Sequence, residues 1–347
     1  MAKSTNAAAA TKQQKKSLSD TNLLLLITVI VFVLMYVGAM LFLGEGFLKA
    51  QNFFNILMSQ SALIITSCGM SIVMINGGID ISVGGVVALV SMCSAVYLDF
   101  MGGNVFVSVL IALGIGLAYG IVQGFLVAYL EIQPFIVSLA GMFFARGLTS
   151  IVHSAPFNVE NEAFMALKDT RIVVPGLGSV NRIGKYVDAY VEIGVLVAIL
   201  IVVVMFIVLR WTKLGRRFYA VGGNPHSALM LGINVKRTRF IAQLISGVLA
   251  GIAGYVYFLH VGSGSASHAT GMEMNAIASS IIGGTLLTGG VGNIIGTFFG
   301  VISLSTIQNI VSSAGLDQAW WTGITIAAML CLFLVIQSIV MARKSRG

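Results

Sequence analysis

From Leu23 onward the chain is a succession of apolar stretches interrupted by short polar or glycine-containing turns. The hydrocarbon core of a bilayer is about 30 Å thick, and a helix needs roughly 20 apolar residues to cross it. By that measure ten stretches predict crossings, near 23–43, 54–75, 81–98, 105–130, 135–152, 188–209, 240–260, 274–284, 293–312 and 320–341. The eighth is too short to cross alone, which points to a tilted partner that continues into the next turn or to a re-entrant segment. The predicted fold is an all-α polytopic membrane protein of about ten transmembrane helices. Residues 1–22 form a polar tail expected to be disordered, 23–341 form the membrane domain, and 342–347 form a second short tail. The first run, Leu23 to Leu43, is longer than a signal-peptide core and lacks a small-residue cleavage site, so it is read as a retained helix.

Composition excludes a soluble reading. Apolar residues make up 57% of the chain and charged residues only 9%, with a mean hydropathy of +0.97. A water-facing surface needs roughly a quarter of charged residues. The net charge of +8 concentrates in three places: Lys3, Lys12, Lys15 and Lys16 near the start; Arg210, Lys213, Arg216, Arg217, Lys236, Arg237 and Arg239; and Arg343, Lys344 and Arg346 at the end. Such clustering is the positive-inside signature, and it places all three on the cytoplasmic side. Ten crossings from a cytoplasmic start return residues 210–239 and the C-terminus to the cytoplasm, so parity agrees with charge. The mixed-charge loop 153–187 then lies outside. Attraction to lipid head groups accounts for the basic residues, so no nucleic-acid partner is implied.

Little else carries chemistry of its own. Cys68, Cys93 and Cys331 lie far apart inside apolar stretches, and the four histidines are scattered, so neither a disulfide framework nor a metal site is expected. No GxxxxGK[ST] loop occurs; Gly184-Lys185-Tyr186 lacks both the first glycine and the Ser/Thr. No bound cofactor is expected, and the chain is not expected to hydrolyse ATP by itself. Without a nucleophile–base set the chain is read as a transport subunit rather than an enzyme.

Four motifs do stand out. Gly77-Gly78 and Gly283-Gly284 each open the same pattern of two glycines, three residues, Ser or Thr, one residue, Gly. Glycine-broken helices in internal repeats are a common transporter design. Gly116, Gly120 and Gly124 lie on one helix face, where they let another backbone come close. Asp80 is the sole acid between 54 and 98; it marks either a broken helix beside a translocation path or a helix cap at a membrane turn, with Ser82 or Asp80 as the cap. Proton coupling through Asp80 is disfavoured, because no second acid, Lys or His lies nearby. In the cytoplasmic stretch, Asn224 suits an N-cap, Pro225 the first helical position and Gly232 the stop. The short helix between them, with an apolar side from Ala228, Leu229 and Leu231, is marginal alone and needs a partner surface, either the membrane or another protein. Arg146 is expected to snorkel to the outer interface, and Trp320 and Trp321 to anchor the last helix there.

The stretches SCGMSIVMINGGIDISVGGVVAL (67–89), AVGGNPHSALMLGINV (220–235) and AIASSIIGGTLLTGGVGNIIGTFFGV (276–301) resemble the signature of permeases of monosaccharide ABC importers, the ribose, xylose and galactose group. The resemblance runs from about residue 50 to 341. SLAGMFFARG (138–147) with Trp320-Trp321 looks most like the galactofuranose-type permease. It implies a vitamin B12-permease-like fold in a bacterial cytoplasmic (inner) membrane. It implies three partners besides the lipid bilayer: an ABC ATPase subunit, a second permease copy or paralogue, and an extracytoplasmic sugar-binding protein. It also implies that Asn224, Pro225, His226, Ser227, Ala228, Leu229, Met230, Leu231 and Gly232 form the helix that docks in the ATPase. Two departures from the family are visible: Ile81 stands where many relatives have Leu, and His226-Ser227 replaces a more usual Glu-Ala, which bears on the choice of ATPase.

Ser59, Gln60, Asn76, Gly77, Gly78, Asp80, Ser82 and Asn275 are the candidates to line an alternating-access route, as polar or glycine positions in or beside apolar helices. Rival readings are an ABC permease for nucleosides or a furanone-like signal, or a secondary transporter. The last would need buried acids for ion coupling, and only Asp80, with Glu273 just before the eighth stretch, is on offer.

Overall fold

The computed structural model describes residues 20–43, 45–180, 186–313, 315 and 319–345. Most of the predicted N-terminal tail and the last two residues lie outside the described residues. In chain order the elements are α1 (Asp20–Leu43), α2 (Glu45–Leu48), α3 (Ala50–Ile75), α4 (Val83–Asp99), α5 (Val105–Ala128), α6 (Pro134–Val152), β1 (Phe157–Asn158), α7 (Glu162–Lys168), β2 (Arg171–Val180), β3 (Tyr186–Glu192), α8 (Ile193–Trp211), α9 (Lys213–Gly223), α10 (Pro225–Met230), α11 (Val235–Val261), β4 (Ser263–Gly264), α12 (Met272–Ile282), α13 (Ile294–Ser313) and α14 (Ala319–Ser345).

Each of the ten predicted stretches is helical over most of its length. Among the described residues seven helices are long and apolar enough to cross a membrane: α1, α3, α5, α6, α8, α11 and α13. Helix α4 and the stretch Gly323–Ile336 of α14 are apolar but shorter. Helix α12, with 11 residues, covers only about 16 Å, roughly half a hydrocarbon core.

The all-α expectation needs one amendment. The polar connection after α6 contains α7 and a two-stranded antiparallel hairpin, β2 with β3, in which Arg171 faces Glu192 and Val174 faces Ala189. Its strands carry β-branched and aromatic residues, which suit a half-exposed pleated surface. Because Tyr186–Glu192 pairs as a strand, α8 starts at Ile193 rather than at the predicted 188. The hairpin is fastened to the start of α3. The Gln51 amide donates to the Tyr190 carbonyl (3.2 Å) and accepts from the Tyr190 amide (2.9 Å). A second small sheet pairs β1 with β4.

The core is built around α3, whose residues 61–75 are all buried, with α8, α11, α12 and α13 packed on it, while α4 packs on α11. Helices α1, α5, α6 and α8 bury one side and leave Leu34, Phe144 and Leu200 among the side chains on an apolar outer face. That distribution fits helices whose outer side meets lipid. The glycine ladder of α5 finds its partner in α11: a Cβ at Gly247 would stand 2.5 Å from the Gly120 Cα, so the two backbones touch and any side chain there would separate them.

Candidate functional site

The two glycine-containing breaks close in the same way. After α3, Gly77 N donates to Met74 O and Gly78 N to Val73 O, both at 2.9 Å. After α12, Gly284 N donates to Ile281 O and Thr285 N to Ser280 O, again at 2.9 Å. This paired closure needs a left-handed residue just past the helix, and Gly77 (φ 86°) and Gly284 (φ 88°) supply it. The structural equivalent of Gly77 is therefore Gly284, one position later than the sequence pattern pairs them. The following helices also begin alike: Asp80 Oδ1 accepts from Ser82 N (3.1 Å), and Asn293 Oδ1 accepts from Ile295 N (2.9 Å). Asp80 stands three positions after Gly77, whereas Asn293 stands nine positions after Gly284.

The longer second turn folds on itself, with Leu286 N donating to Val291 O (3.1 Å) and Gly289 N to Leu286 O (3.2 Å). Gly289 (φ 84°) and Gly290 (φ 75°) form its tip and reach the first turn, where Gly290 N donates to the Ile75 carbonyl (2.9 Å). A Cβ at Gly289 would stand 2.8 Å from Gly222 O and 3.0 Å from Gly77 Cα. Gly222-Gly223 at the end of α9 thus completes a junction in which three glycine-containing turns meet backbone to backbone. The Tyr219 hydroxyl donates to Gly292 O (2.9 Å) and ties α9 to the second turn again; burial pushes that hydroxyl up to about 12, so it stays protonated.

Helix α10 leaves directly from this junction. Asn224 caps it by accepting from Ser227 N (2.9 Å), Pro225 occupies its first turn, and Gly232 (φ 79°) ends it. The helix has six residues instead of the expected seven or so. Its apolar residues divide: Ala228 is buried, while Leu229, Met230 and Leu231 are 58%, 75% and 79% exposed. The predicted apolar side thus points two ways, with Ala228 anchoring the helix and the leucines and methionine left free. His226 and Ser227 are exposed, as are Lys213, Arg216, Arg217, Lys236 and Arg237 around them.

Asp80 is 2% exposed and occupied by its own chain. Besides Ser82 N it accepts from the Ser82 hydroxyl (2.6 Å) and from the Ser246 hydroxyl of α11 (2.7 Å), while the Gln123 amide of α5 donates to Ser82 (2.8 Å). The carboxylate therefore pins the first turn to α11 directly and to α5 through Ser82. Asn76, Gly77 and Gly78 line a cavity of about 220 Å³ between that turn, the α5–α6 connection and α11. Ser59 (exposed), Gln60 and Asn275 (both half-buried) lie toward the opposite ends of α3 and α12. Ser67 and Ser280, further along the same two helices, are joined by a hydrogen bond (3.4 Å). The structure thus distributes the eight route candidates over three places. Sequence reasoning missed Gln123, Gln243 and Ser246. The available signal was polarity at helical spacing: Gln123 sits inside the Gly120/Gly124 ladder, and Gln243 and Ser246 are three apart in an apolar stretch.

At the other end of the molecule Arg146 behaves differently from a snorkelling residue. Its guanidinium donates to the carbonyls of Ala266, His268 and Ala269 (2.9 Å for Ala269), closing the loop between β4 and α12. That loop returns α12 to the interior, where buried Glu273 packs against Gly84 near the start of α4.

A family described as branched-chain amino acid transport system / permease component matches residues 52–334. The chain is 36% identical over 316 residues to the inner membrane ABC transporter permease protein YjfF of Escherichia coli (strain K12), covering 91% of this chain and 92% of that protein. It is 32% identical to the fructose import permease protein FruG of Bifidobacterium longum (strain NCC 2705), over 91% of each chain. It is 31% identical to the ribose import permease protein RbsC of Escherichia coli (strain K12), over 84% of this chain and 88% of that one. No solved structure matches.

Proposed function

Since this chain belongs to the family of branched-chain amino acid transport system permease components, we propose that it is the membrane-spanning permease subunit of an ATP-driven importer for a monosaccharide. Sugar, rather than an amino acid, is the cargo indicated by relatives of nearly the same length that are named for fructose and ribose import. Within the sugars, the stretch 138–147 and the Trp320-Trp321 pair favour a furanose of the galactofuranose type. The base-rich face carrying α9 and α10 is cytoplasmic, by the positive-inside rule.

The observation that carries the reading is α10. A six-residue helix has little stability of its own. This one is capped, seated through Ala228, and presents Leu229, Met230 and Leu231 on a basic surface. Burying a Leu or Met side chain contributes about 1.5–3 kcal/mol. A separate ATPase, holding ATP and Mg²⁺, covers these three side chains. Its movement on nucleotide binding reaches α10 and then Gly222-Gly223, from which the backbone contacts pass to both broken turns. Two permeases, identical or paralogous, enclose the route, and an extracytoplasmic binding protein delivers the sugar at the opposite face. Ser59, Gln60 and Asn275, at the open ends of α3 and α12, supply donors and acceptors for sugar hydroxyls. Asp80 holds the first turn in place.

Uptake into vesicles that contain the assembled importer, ATP and binding protein tests this, with galactofuranose, fructose, ribose, a nucleoside and a branched-chain amino acid offered in turn. ATP-dependent accumulation of a monosaccharide, with no competition from the nucleoside or the amino acid, is the expected result. Accumulation of the amino acid or nucleoside instead overturns the assignment of cargo.

A further inference from the structure

The outer side of α5 and α6 carries a groove of about 470 Å³ that the transport reading leaves unused. Its walls are Ala118, Val122 and Leu126 on α5 and Ile136, Ala140 and Phe144 on α6. From Ala118 to Leu126 it runs about 12 Å, close to the depth of one leaflet of a hydrocarbon core about 30 Å thick. The groove ends at Ile132, and Ile132 also lines the 220 Å³ cavity at the base-rich end of the helices. That cavity is polar where the groove is apolar. Two of its lining residues, Asn76 and Gln243, are buried, and their side-chain oxygens Asn76 Oδ1 and Gln243 Oε1 have no hydrogen-bond partner among the described residues. Buried acceptors left unpaired are costly, so they mark a place where a donor is missing.

Charge completes the picture. Glu131 and Arg239 also line the cavity. Glu131 is already paired with Lys236 (2.8 Å), whereas Arg239 is in no ion pair among the described residues. With Glu131 matched by Lys236 and Arg239 left over, the mouth keeps an excess of positive charge. The occupant must therefore combine an apolar chain one leaflet deep, an anionic group for Arg239 and Lys236, and hydroxyl donors for the two amide oxygens.

We propose that this groove and cavity form one binding site for an anionic phospholipid with a hydroxylated head group. One acyl chain lies between α5 and α6, the phosphate sits at Arg239 and Lys236, and the head-group hydroxyls reach Asn76 and Gln243. The site adjoins both the first broken turn and α10, since Glu131, Lys236 and Arg239 also line the pocket against Pro225 and Leu229. A lipid there braces the junction from the membrane side, whatever solute the chain carries.

Native mass spectrometry of the purified full-length chain, titrated with phosphatidylglycerol or phosphatidylcholine of identical acyl chains, tests the site. One phosphatidylglycerol per chain is expected to outlast phosphatidylcholine. Lys236→Gln and Arg239→Gln are each expected to weaken it about fivefold, the scale of one basic residue at an anionic surface. Ala140→Trp, which fills the groove, should weaken both lipids together without changing their ratio. Equal retention of the two lipids, or retention that ignores all three substitutions, overturns the proposal. So does efficient disulfide cross-linking of Ala140→Cys between two copies in the membrane, which would give the groove to a second chain.

Discussion

The turns after α3 and after α12 start from one design and end in different chemistry. Both helices stop at a left-handed glycine, Gly77 or Gly284, with the same pair of backbone hydrogen bonds. Both following helices start beneath an Asx side chain, Asp80 or Asn293. The first turn is short and is fixed from within by a buried carboxylate bound to α11. The second is longer, closes through its own backbone, and spends the extra residues on a glycine tip that touches Ile75, Gly77 and Gly222. One turn is thus an anchor and the other a contact surface. The difference shows how a repeated motif can fix a helix break from within in one place and build a backbone contact surface in another.

Breaking the contact surface should have the largest effect. Gly222→Ala sets a methyl group against the Ile75 carbonyl and the Gly290 amide, both backbone atoms that cannot turn aside. Overpacking of this kind costs about 1–3 kcal/mol or more. ATP-dependent uptake is expected to fall by an order of magnitude or more, with a lower Tm in detergent. The neighbouring Gly223→Ala, whose new Cβ meets nothing within 4 Å, should leave both unchanged. If the two substitutions behave alike, the junction does not transmit movement.

Breaking the anchor comes next. Asp80→Ala strands the Ser246 and Ser82 hydroxyls inside the protein, at about 1–3 kcal/mol for buried groups left unpaired. Asp80→Asn keeps an acceptor, and the Ser246 hydroxyl can rotate to accept from the new amide. Transport is therefore expected to stay near normal with only a small loss of stability. Asn293→Ala removes a cap in the other turn, worth about 1 kcal/mol. Ranking the three by thermal unfolding should give Asp80→Ala as the most damaging; parity with Asn293→Ala would remove the distinction between the turns.

The smallest effect concerns the α5–α6 connection, which flanks the first turn alone. The Lys236 ammonium, by hydrogen bond and charge, holds the Glu131 carboxyl below its ordinary value, with Arg239 adding to the pull. A depressed carboxyl contributes stability above its unfolded-state value and loses it as pH falls through the folded one. Both side chains are largely exposed, so solvent screens the pair. Glu131→Gln should leave Tm unchanged near neutral pH and flatten its fall in acid only slightly; a large drop at neutral pH would contradict this.

Much of this was legible in the sequence because membrane physics leaves few choices. Apolar runs long enough to cross lipid become helices, as residues 54–75 and 240–260 do within α3 and α11. Asn224, Pro225 and Gly232 marked a short helix through capping chemistry that is local to the chain. The hairpin of β2 and β3 escaped because its pairing joins segments through a connection that hydropathy alone reads as a loop. The offset between Gly77 and Gly284 escaped because a string match counts glycines, whereas the helix end selects the one that must be left-handed. The carbonyl partners of Arg146, on Ala266, His268 and Ala269, are 120 or more positions away, so its own apolar stretch points only to the interface. The partners of Asp80 and Ser82 escaped for the same reason, since Ser246 and Gln123 belong to distant helices.

Co-purification of the tagged chain from its native membrane in mild detergent tests the central claim most directly. A P-loop ATPase is predicted to come with it and to be lost when Leu229 and Leu231 are changed to Asp, while the chain itself stays folded. A chain that comes out alone, and that moves sugar into liposomes without ATP, would contradict the account and make it a secondary carrier.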